Sequence, residues 1–298
     1  MARNKKTSRS LFTFMNFLIA LLLKNGQYRT MQHYKATLNS YKRYRKDKDI
    51  TFKEIDAKEI QSYEAYLKNV AKVCNNTSSF YLRILRATYN KAVEKGYATQ
   101  QNPFKNVYTG IAKTNKRAIP TESVSSIKRL DTIIALTPKQ ELARDTFLMC
   151  FYLRGISFID LAHLRKSDLK DGFISYTRSK TGQRISIRWE KDMQDIVDKY
   201  QTKTADSTYL FPFLASGTNS KNGTLQDKRQ DELRLYHNAE SRITYHLKKL
   251  GAKIGAKGKL TLYVARHTWA TTARDKNISI SIISEALGHN SETTTQIY

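Results

Sequence analysis

The chain has 298 residues, a length that suggests about two domains. Apolar residues make up 40% and aromatic residues 11% of the chain, which excludes a disordered protein and is enough for ordinary cores. Lys and Arg number 52 against 26 Asp and Glu, and the resulting net charge of +26 points to a polyanionic partner, usually nucleic acid.

The first predicted element is an apolar helix at residues 11–24. Basic residues precede it, as in a secretory signal peptide, but no small-x-small cleavage site follows, and Lys24-Asn25-Gly26 is a helix stop. The stretch is also shorter than the ~20 apolar residues that a bilayer span needs. We therefore predict a buried helix and no membrane partner.

Two more helices are predicted in the first domain. Asp56 and Glu59 have the spacing of a capping box at the start of one helix. Its inward positions recur every three or four residues: Ile60, Tyr63, Tyr66, Leu67 and Val70. The other helix runs from about Thr77 to Lys95, and Gly96 is its left-handed C-terminal residue. Its inward positions are Phe80, Ile84, Leu85, Tyr89 and Val93.

Basic side chains are concentrated in this first part of the chain. Residues 1–117 carry 24 basic and 7 acidic side chains. Any single one of them is equally well explained as part of a solvated helix surface, but the set favours contact with phosphates. The predicted DNA contacts are Lys42, Arg43, Arg45, Lys46, Arg83 and Arg86.

Pro103 and Pro120 bracket a polar, basic stretch without apolar periodicity, which is typical of a linker. We predict a helical domain over residues 1–106, a linker over 107–120 and a second domain over 121–298.

The second domain is predicted to combine helices with one β-hairpin. Residues 173–178 and 184–189 alternate with period two around a turn that contains Gly182. Ser157 and Asp160 form a second capping box, opening a helix through about Lys166. Other helices are expected at about 142–153, 191–201, 238–251, 263–274 and 279–287, and a polar surface loop at 214–231. The fold class is therefore mainly α with a small antiparallel β-sheet.

The sequence carries no G-x-x-x-x-G-K-[ST] phosphate loop, no H-E-x-x-H motif and no Cys/His cluster. Its two cysteines, Cys74 and Cys150, exclude a disulfide framework and fit a reducing cytosol. A reaction on nucleic acid is thus expected to need no ATP, metal or other cofactor. Phosphoryl transfer without a metal requires arginines on the non-bridging oxygens, a nucleophile and a proton donor for the leaving oxygen.

Four stretches of the second domain supply such a set in order. Arg154 precedes the Ser157 cap, and Lys180 lies on the hairpin turn. The third stretch is Tyr263-Val-Ala-Arg266-His267-Thr, and the fourth runs from Leu287-Gly288-His289 to Tyr298. These blocks and their spacings resemble the tyrosine recombinase (phage integrase) family, in which a nucleophilic tyrosine follows the last histidine by nine residues. The motifs F-Y-L-R-G and Y-V-A-R-H are similar to those of the integrases and invertases carried by mobile elements of the Bacteroidetes group.

The resemblance implies a helical core-binding domain followed by an α+β catalytic domain, and a site-specific recombinase that works through a 3′-phosphotyrosyl intermediate. Tyr298 would attack the scissile phosphate, and Arg154 and Arg266 would hold the non-bridging oxygens of that phosphate. Lys180 would protonate the leaving 5′-oxygen. His289 would hydrogen-bond the phosphate and assist the tyrosine. Tyr263 stands where the family usually has histidine, so it would position the phosphate rather than transfer protons. Asp160 replaces a common glutamate and is assigned helix capping and orientation of Arg154. The family generally continues past the tyrosine, whereas this sequence ends there.

The implied partners are double-stranded DNA with a specific recombination site and three further copies in a homo-tetramer on two such sites. Accessory DNA-bending proteins are left open as additional partners, and the expected location is the cytoplasm, in association with the nucleoid. Two other readings stay open from the sequence: a type IB topoisomerase-like enzyme, and a sequence-specific DNA-binding regulator built on a recombinase scaffold.

Overall fold

The computed structural model describes residues 10–112, 117–214, 225–256 and 258–297. The chain divides into two compact units, Met1–Thr114 and Asn115–Tyr298. Residues 107–112, which the sequence assigns to the linker, are bonded to the first unit: Asn76 Nδ2 donates to the Ala112 carbonyl over 3.0 Å, and Val107 packs against that unit's core. The domain limits at 106 and 120 stay a prediction.

The described part of the first unit is helical. It contains α1 (Leu11–Lys24), α2 (Tyr28–Arg45), a 3-10 turn (Phe52–Glu54), α3 (Ala57–Asn69) and α4 (Asn75–Glu94). Helix α1 has the predicted bounds and ends where Gly26 adopts a left-handed backbone with φ of 71°. It buries five apolar side chains in the core: Leu11, Phe12, Phe14, Met15 and Leu18. Among the described residues, none of the helices combines the length and the apolar character that crossing a bilayer requires.

Hydroxyl groups of buried tyrosines are satisfied inside the core of the first unit. Tyr41 and Tyr63 are fully buried, and Tyr63 donates to Ser40 Oγ over 2.8 Å. Tyr41 donates to Glu59 Oε1 over 2.7 Å, and Arg45 lies 3.5 Å from the same oxygen. The predicted capping box is therefore only half correct, because the Glu59 carboxylate turns to the core instead of the helix start.

The other half of that motif is confirmed, since Asp56 accepts from the Glu59 backbone N–H over 2.7 Å. Gly96 also has the predicted left-handed backbone, with φ of 69°. Val70 was predicted to face inward, but it is 68% exposed because α3 ends at Asn69.

The second unit surrounds its core with helices and one small sheet. Its helices are α5 (Thr121–Lys128), α6 (Leu130–Ile133), α7 (Pro138–Tyr152), α8 (Phe158–Ala162), α9 (Lys191–Asp198), α10 (Leu225–Lys253), α11 (Leu262–Asp275), α12 (Ile280–Ala286) and α13 (Glu292–Thr295). Strands β1 (Leu169–Lys170), β2 (Phe173–Thr177) and β3 (Arg184–Arg188) form an antiparallel sheet in that order. Gly182 lies in the β2–β3 turn with φ of 72°. The predicted fold class is confirmed.

Two expectations about this unit are wrong. The helix opened by Ser157 ends at Ala162 instead of Lys166, because Arg165 pairs with Tyr209 in an extended bridge. The expected loop 214–231 is helical from residue 225, while residues 215–224 lie outside the described residues. Residues 227–230 are exposed on α10, so this first part of the helix shows no apolar periodicity in the sequence.

Helix α7 carries a buried ion pair that fixes it to its surroundings. Arg144 and Asp145 are 1% and 0% exposed, and Arg144 Nε donates to Asp145 Oδ1 over 2.8 Å. The buried Tyr200 hydroxyl donates to Asp145 Oδ2 over 2.9 Å. Through Tyr200, Asp145 therefore joins α7 to the segment that follows α9.

We expect the Asp145→Ala variant to lose about 1–3 kcal/mol of unfolding free energy, since the buried Tyr200 hydroxyl loses its acceptor while Arg144 keeps Asp131 and Glu141 as partners. Urea unfolding followed by tryptophan fluorescence measures this, because both tryptophans of the chain, Trp189 and Trp269, belong to the second unit. The control Asp195→Ala breaks an exposed i,i+4 pair with Lys191 and should change little. Equal losses in the two variants would contradict the prediction.

Candidate active site

A cavity of about 570 Å³ opens in the second unit and gathers most of the residues singled out in the sequence. Side chains from the β2–β3 turn, α10, α11 and the C-terminal segment line it. Of the six predicted catalytic residues, four line the cavity: Lys180, Tyr263, Arg266 and His289. Three stretches far apart in sequence therefore meet at one place.

Arg154 is not among the lining residues, although Ile156 and Ser157, which follow it closely, are. It lies between α7 and α8 and has a left-handed backbone with φ of 53°. For a residue with a Cβ this conformation costs roughly 1–2 kcal/mol, and such strain is concentrated at functional positions. The strain and the position beside the cavity keep Arg154 a candidate.

Arg266 on α11 is only 5% exposed, and its guanidinium joins three segments of the chain. Nη1 donates to the Gly155 carbonyl over 2.6 Å, and Nη2 donates to the Leu287 carbonyl over 2.6 Å. Nη2 also lies 2.9 Å from His289 Nε2. The planar, permanently charged fork is thus held in one orientation before any ligand enters.

Gly155 is required beside Arg266 for two independent reasons. Its φ of 74° lies in the left-handed region, which glycine adopts without strain. A Cβ built on it would lie 2.7 Å from Arg266 Cγ and 2.8 Å from Arg266 Cα. A side chain at this position would therefore displace the arginine.

Lys180 is an exposed residue of the β2–β3 turn, and its neighbours fix that turn on two sides. Arg178, 8% exposed, donates from Nη1 to the Gly288 carbonyl, and Thr181 Oγ1 donates to the same oxygen over 3.2 Å. On the other side, the Ser179 backbone N–H donates to Asp160 Oδ1 over 2.9 Å. The turn that carries Lys180 is therefore bonded to α8 and to the segment that carries His289.

The expectation that Asp160 orients Arg154 is wrong. Its Oδ2 accepts from the Ser157 hydroxyl over 2.6 Å, and its Oδ1 accepts from the Ser179 backbone, so Asp160 supports the turn of Lys180 instead. The predicted capping box is half correct: Ser157 Oγ accepts from the Asp160 backbone N–H, but the Asp160 carboxylate accepts from the Ser157 hydroxyl instead of the Ser157 backbone.

His289 is half-buried, and its ring bonds on both sides. Nε2 faces Arg266, and Nδ1 lies 2.8 Å from the hydroxyl of Thr295. Burial lowers the pKa of His289 to about 4, and the charges of Arg266, Arg178 and Lys180 act in the same direction. The imidazole is therefore neutral around neutral pH.

The two tyrosines predicted at the site are Tyr263 and Tyr298. Tyr263 is 54% exposed at the cavity, and its ring meets that of His267 edge-on with centroids 4.6 Å apart. Tyr298 lies outside the described residues. Ile297, the residue before it, lines the cavity.

The basic residues predicted to contact DNA lie on two helices of the first unit. Lys42, Arg43 and Arg45 occupy the last turn of α2, Lys46 follows it, and Arg83 and Arg86 lie on α4. Part of the set has protein partners: Lys42 Nζ lies 5.4 Å from the Phe12 ring, Arg45 pairs with Glu59, and Arg86 donates to Thr109 over 2.9 Å. Arg43 and Lys46 are exposed. Basic residues also favour a helix C-terminus through its dipole, so contact with DNA stays a prediction.

Sequence reasoning missed three residues that bond to His289 or to the Gly288 carbonyl beside it: Arg178, Thr181 and Thr295. Period-two alternation gives a signal for Arg178, because it shares a strand face with the buried Ile174 and the half-buried Tyr176. A charged residue on the inward face of a hairpin needs a polar partner inside the fold, which for Arg178 is the Gly288 carbonyl. Nothing in the local sequence distinguishes Thr295 from the two threonines before it.

Within the described ranges, no group of three or more His, Cys, Asp or Glu side chains is arranged to hold a metal ion.

Two family models together match most of the chain. Residues 10–110 match the phage integrase SAM-like domain, and residues 126–298 match the phage integrase family. The second match alone covers more than half of the chain and contains the whole candidate site. The first match covers the helical first unit, and the second match covers most of the unit that contains the cavity. The chain belongs to the phage integrase family.

Individual relatives are more distant. A protein named tyrosine recombinase XerA, from Pyrococcus furiosus, is 28% identical over 191 residues, which cover 63% of this chain. The chain spans 58% of that relative's length, less than two thirds.

Solved structures share the fold at low identity. A lambda integrase tetramer bound to a Holliday junction has a TM-score of 0.63 at 17% identity, covering 98% of this chain and 80% of that chain. A XerH site-specific recombinase bound to its difH substrate has a TM-score of 0.65 at 15% identity, covering 94% of this chain and 80% of that one.

We expect Gly155→Ala to be more destabilising than Gly172→Ala by about 1–3 kcal/mol, the usual range for overpacking. Both glycines have φ of 74°, but a Cβ on Gly172 meets no atom within 4 Å. The two positions therefore share the backbone strain, and the collision with Arg266 occurs only at the buried Gly155. Urea unfolding followed by tryptophan fluorescence gives the comparison, and equal losses would show that Arg266 moves aside freely.

The lowered pKa of His289 predicts a pH-dependent stability. Between its ordinary value of 6.5 and about 4, the unfolded chain binds the proton more strongly than the folded chain. The stabilisation from neutral His289 is therefore complete above about pH 6.5 and is lost as the pH falls toward 4. We expect the unfolding free energy of the second unit to fall over this window, and to fall less in His289→Gln.

Urea unfolding at several pH values between 7 and 4 measures this difference. Burial also lowers the pKa of His246 in the same unit, so the comparison with the variant is needed to isolate His289. An identical fall in both proteins would contradict the assignment.

Proposed function

We propose that the protein is a tyrosine-type site-specific DNA recombinase that cleaves and rejoins DNA through a 3′-phosphotyrosyl intermediate. The observation that carries the proposal is the convergence of Lys180, Arg266 and His289 on one cavity, with the Arg266 guanidinium fixed by two backbone carbonyls. Membership of the phage integrase family and the names of its tyrosine recombinase relatives support it.

In the proposed cleavage step, the Tyr298 phenolic oxygen attacks the scissile phosphorus, and the bond from phosphorus to the 5′-oxygen breaks. Arg154 and Arg266 hold the non-bridging oxygens, where charge accumulates in the transition state. Lys180 gives a proton to the departing 5′-oxygen, and His289 assists the tyrosine. Attack of a 5′-hydroxyl on the phosphotyrosine reverses the step, so the strand is rejoined without an external energy source.

The local structure suits this chemistry in two respects. The guanidinium of Arg266 is already oriented, so little reorganisation is needed when the phosphate enters. The turn of Lys180 is bonded to the segment of His289 through the Gly288 carbonyl, so the proton donor and the histidine keep a fixed relation. Tyr263 is a positioning residue for the phosphate, because its hydroxyl can donate a hydrogen bond to a phosphate oxygen.

The proposed partner is double-stranded DNA with a recombination site, gripped in part by Lys42, Arg43, Arg45, Lys46, Arg83 and Arg86. The proposed assembly is a homo-tetramer on two sites, by analogy with the lambda integrase tetramer on a Holliday junction. Accessory DNA-bending proteins and association with the nucleoid stay predictions. Whether the outcome is integration, excision or inversion depends on how the two sites are arranged.

The proposal predicts a covalent protein–DNA adduct. The full chain is mixed with sheared DNA of its source genome, denatured with SDS, and the DNA that remains attached to protein is recovered and sequenced. We expect an adduct with the wild-type chain and none with Tyr298→Phe. Arg266→Ala should reduce its yield by at least about 10²–10³-fold, since it removes a transition-state contact and also the donor to the Gly155 and Leu287 carbonyls.

Arg188→Ala is the matched control, because it removes an exposed arginine of β3 that does not line the cavity. It should leave the adduct yield unchanged. Tight, salt-sensitive binding with no adduct in the wild-type chain would instead favour a DNA-binding regulator. An adduct at random sequences, with relaxation of supercoiled plasmid, would favour a topoisomerase-like enzyme.

A further inference from the structure

We propose that Thr295 is a positioning residue that fixes the tautomer and the orientation of the His289 ring, so that the proton lies on Nδ1 and Nε2 is presented as an acceptor. The consequence for catalysis rests on the proposed function, whereas the tautomer itself does not.

Thr295 is the last residue of α13 and is fully buried. Its Oγ1 lies 2.8 Å from His289 Nδ1, which is an ordinary hydrogen-bond distance. Ser291 caps the start of α13, where its side chain accepts from the Thr293 backbone N–H over 3.3 Å. The threonine is therefore held beside the ring by the short helix that precedes Ile297 and Tyr298.

The contact on the opposite side of the ring decides which nitrogen carries the proton. Arg266 Nη2 lies 2.9 Å from Nε2, and a guanidinium can only donate. Nε2 must therefore accept, and the single proton of a neutral imidazole must lie on Nδ1. The Nδ1–H then donates to Thr295 Oγ1. The low pKa of His289 agrees with a neutral ring.

This arrangement makes the hydroxyl of Thr295 necessary. Without an oxygen at this place the Nδ1–H would lose its acceptor, and leaving a buried donor unsatisfied costs about 1–3 kcal/mol. The ring would relieve that cost by moving its proton to Nε2, where it would face the N–H groups of Arg266, or by rotating away. Either change would take the Nε2 acceptor away from Arg266.

In the proposed cleavage, an acceptor at Nε2 gives His289 a defined task. Its lone pair accepts from Arg266 Nη2 and keeps the guanidinium in the orientation that holds the non-bridging oxygens. The phenolic proton of Tyr298 passes to solvent as the bond to phosphorus forms, while Lys180 supplies a separate proton to the leaving 5′-oxygen. The ring stays neutral through the step, with its Nδ1–H donated to Thr295 Oγ1. Because Thr295 precedes Tyr298 by only three residues, one hydroxyl links the histidine to the segment of the nucleophile.

The test compares Thr295→Val, which has nearly the same shape but no hydroxyl, with Thr295→Ser, which keeps the hydroxyl. Thr146→Val is the control, because Thr146 is also buried but donates within α7 to the Leu142 carbonyl. All variants are made in the full chain, and tryptophan fluorescence confirms that each one folds.

The first readout is nitrogen-15 NMR of histidine-labelled protein without DNA, with His289→Gln used to assign the signal. We expect a neutral ring protonated at Nδ1 in the wild type, Thr295→Ser and Thr146→Val, and loss of that pattern in Thr295→Val. A wild-type ring protonated at Nε2, or an unchanged pattern in Thr295→Val, would overturn the proposal.

The second readout is the rate of covalent adduct formation under saturating DNA. Thr295→Val should be slower by about 100-fold with unchanged DNA affinity, the effect of misplacing a reacting group, and Thr295→Ser should restore most of the rate. Equal rates for Thr295→Val and wild type would overturn the catalytic part. If the wild type forms no adduct at all, the proposed function fails, and the NMR pattern alone then decides the tautomer.

Discussion

The candidate site depends on one buried cation. Arg266 can lie 5% exposed inside the second unit because carbonyls of Gly155 and Leu287 replace the water that its guanidinium loses. An arginine removed from water without such acceptors would be strongly destabilising. The two carbonyls come from different loops, so satisfying one side chain also determines where the loop after α7 and the loop after α12 lie. The same charge helps keep the His289 ring neutral.

Order and spacing of short blocks were the strongest information in the sequence. Lys180, Tyr263, Arg266 and His289 were selected because they follow one another as in a known family, and the structure brings them to one cavity. The motif also predicts Arg154, but it does not predict the conformation of that residue. The left-handed backbone of Arg154 and its place beside the cavity depend on how α7 and α8 are joined. The catalytic role of Tyr298 stays a prediction.

Local patterns succeeded where a stripe of apolar residues or a turn glycine determines the element. The bounds of α1 and the hairpin turn with Gly182 follow from such signals. They failed where a contact with a distant residue determines the orientation of a side chain. Glu59 accepts from the buried Tyr41 hydroxyl, and Asp160 accepts from the Ser179 backbone in the hairpin turn. The first part of α10 escaped detection because its exposed polar residues resemble a loop in the sequence, while its helical extent follows from its continuation into buried positions such as Ala239 and Ile243.

The bond between Arg178 and the Gly288 carbonyl has a consequence for how relatives of this chain can diverge. A Cβ at Gly288 would lie 2.8 Å from Arg178 Cδ and 3.0 Å from Ile185 Cδ1. A larger residue at 288 therefore needs a shorter one at 178 or 185, and it still carries the strain of a left-handed backbone with φ of 65°. The loss of the arginine also removes a donor from the Gly288 carbonyl. The two positions, 110 residues apart in the chain, are thus coupled, and substitutions at them should covary.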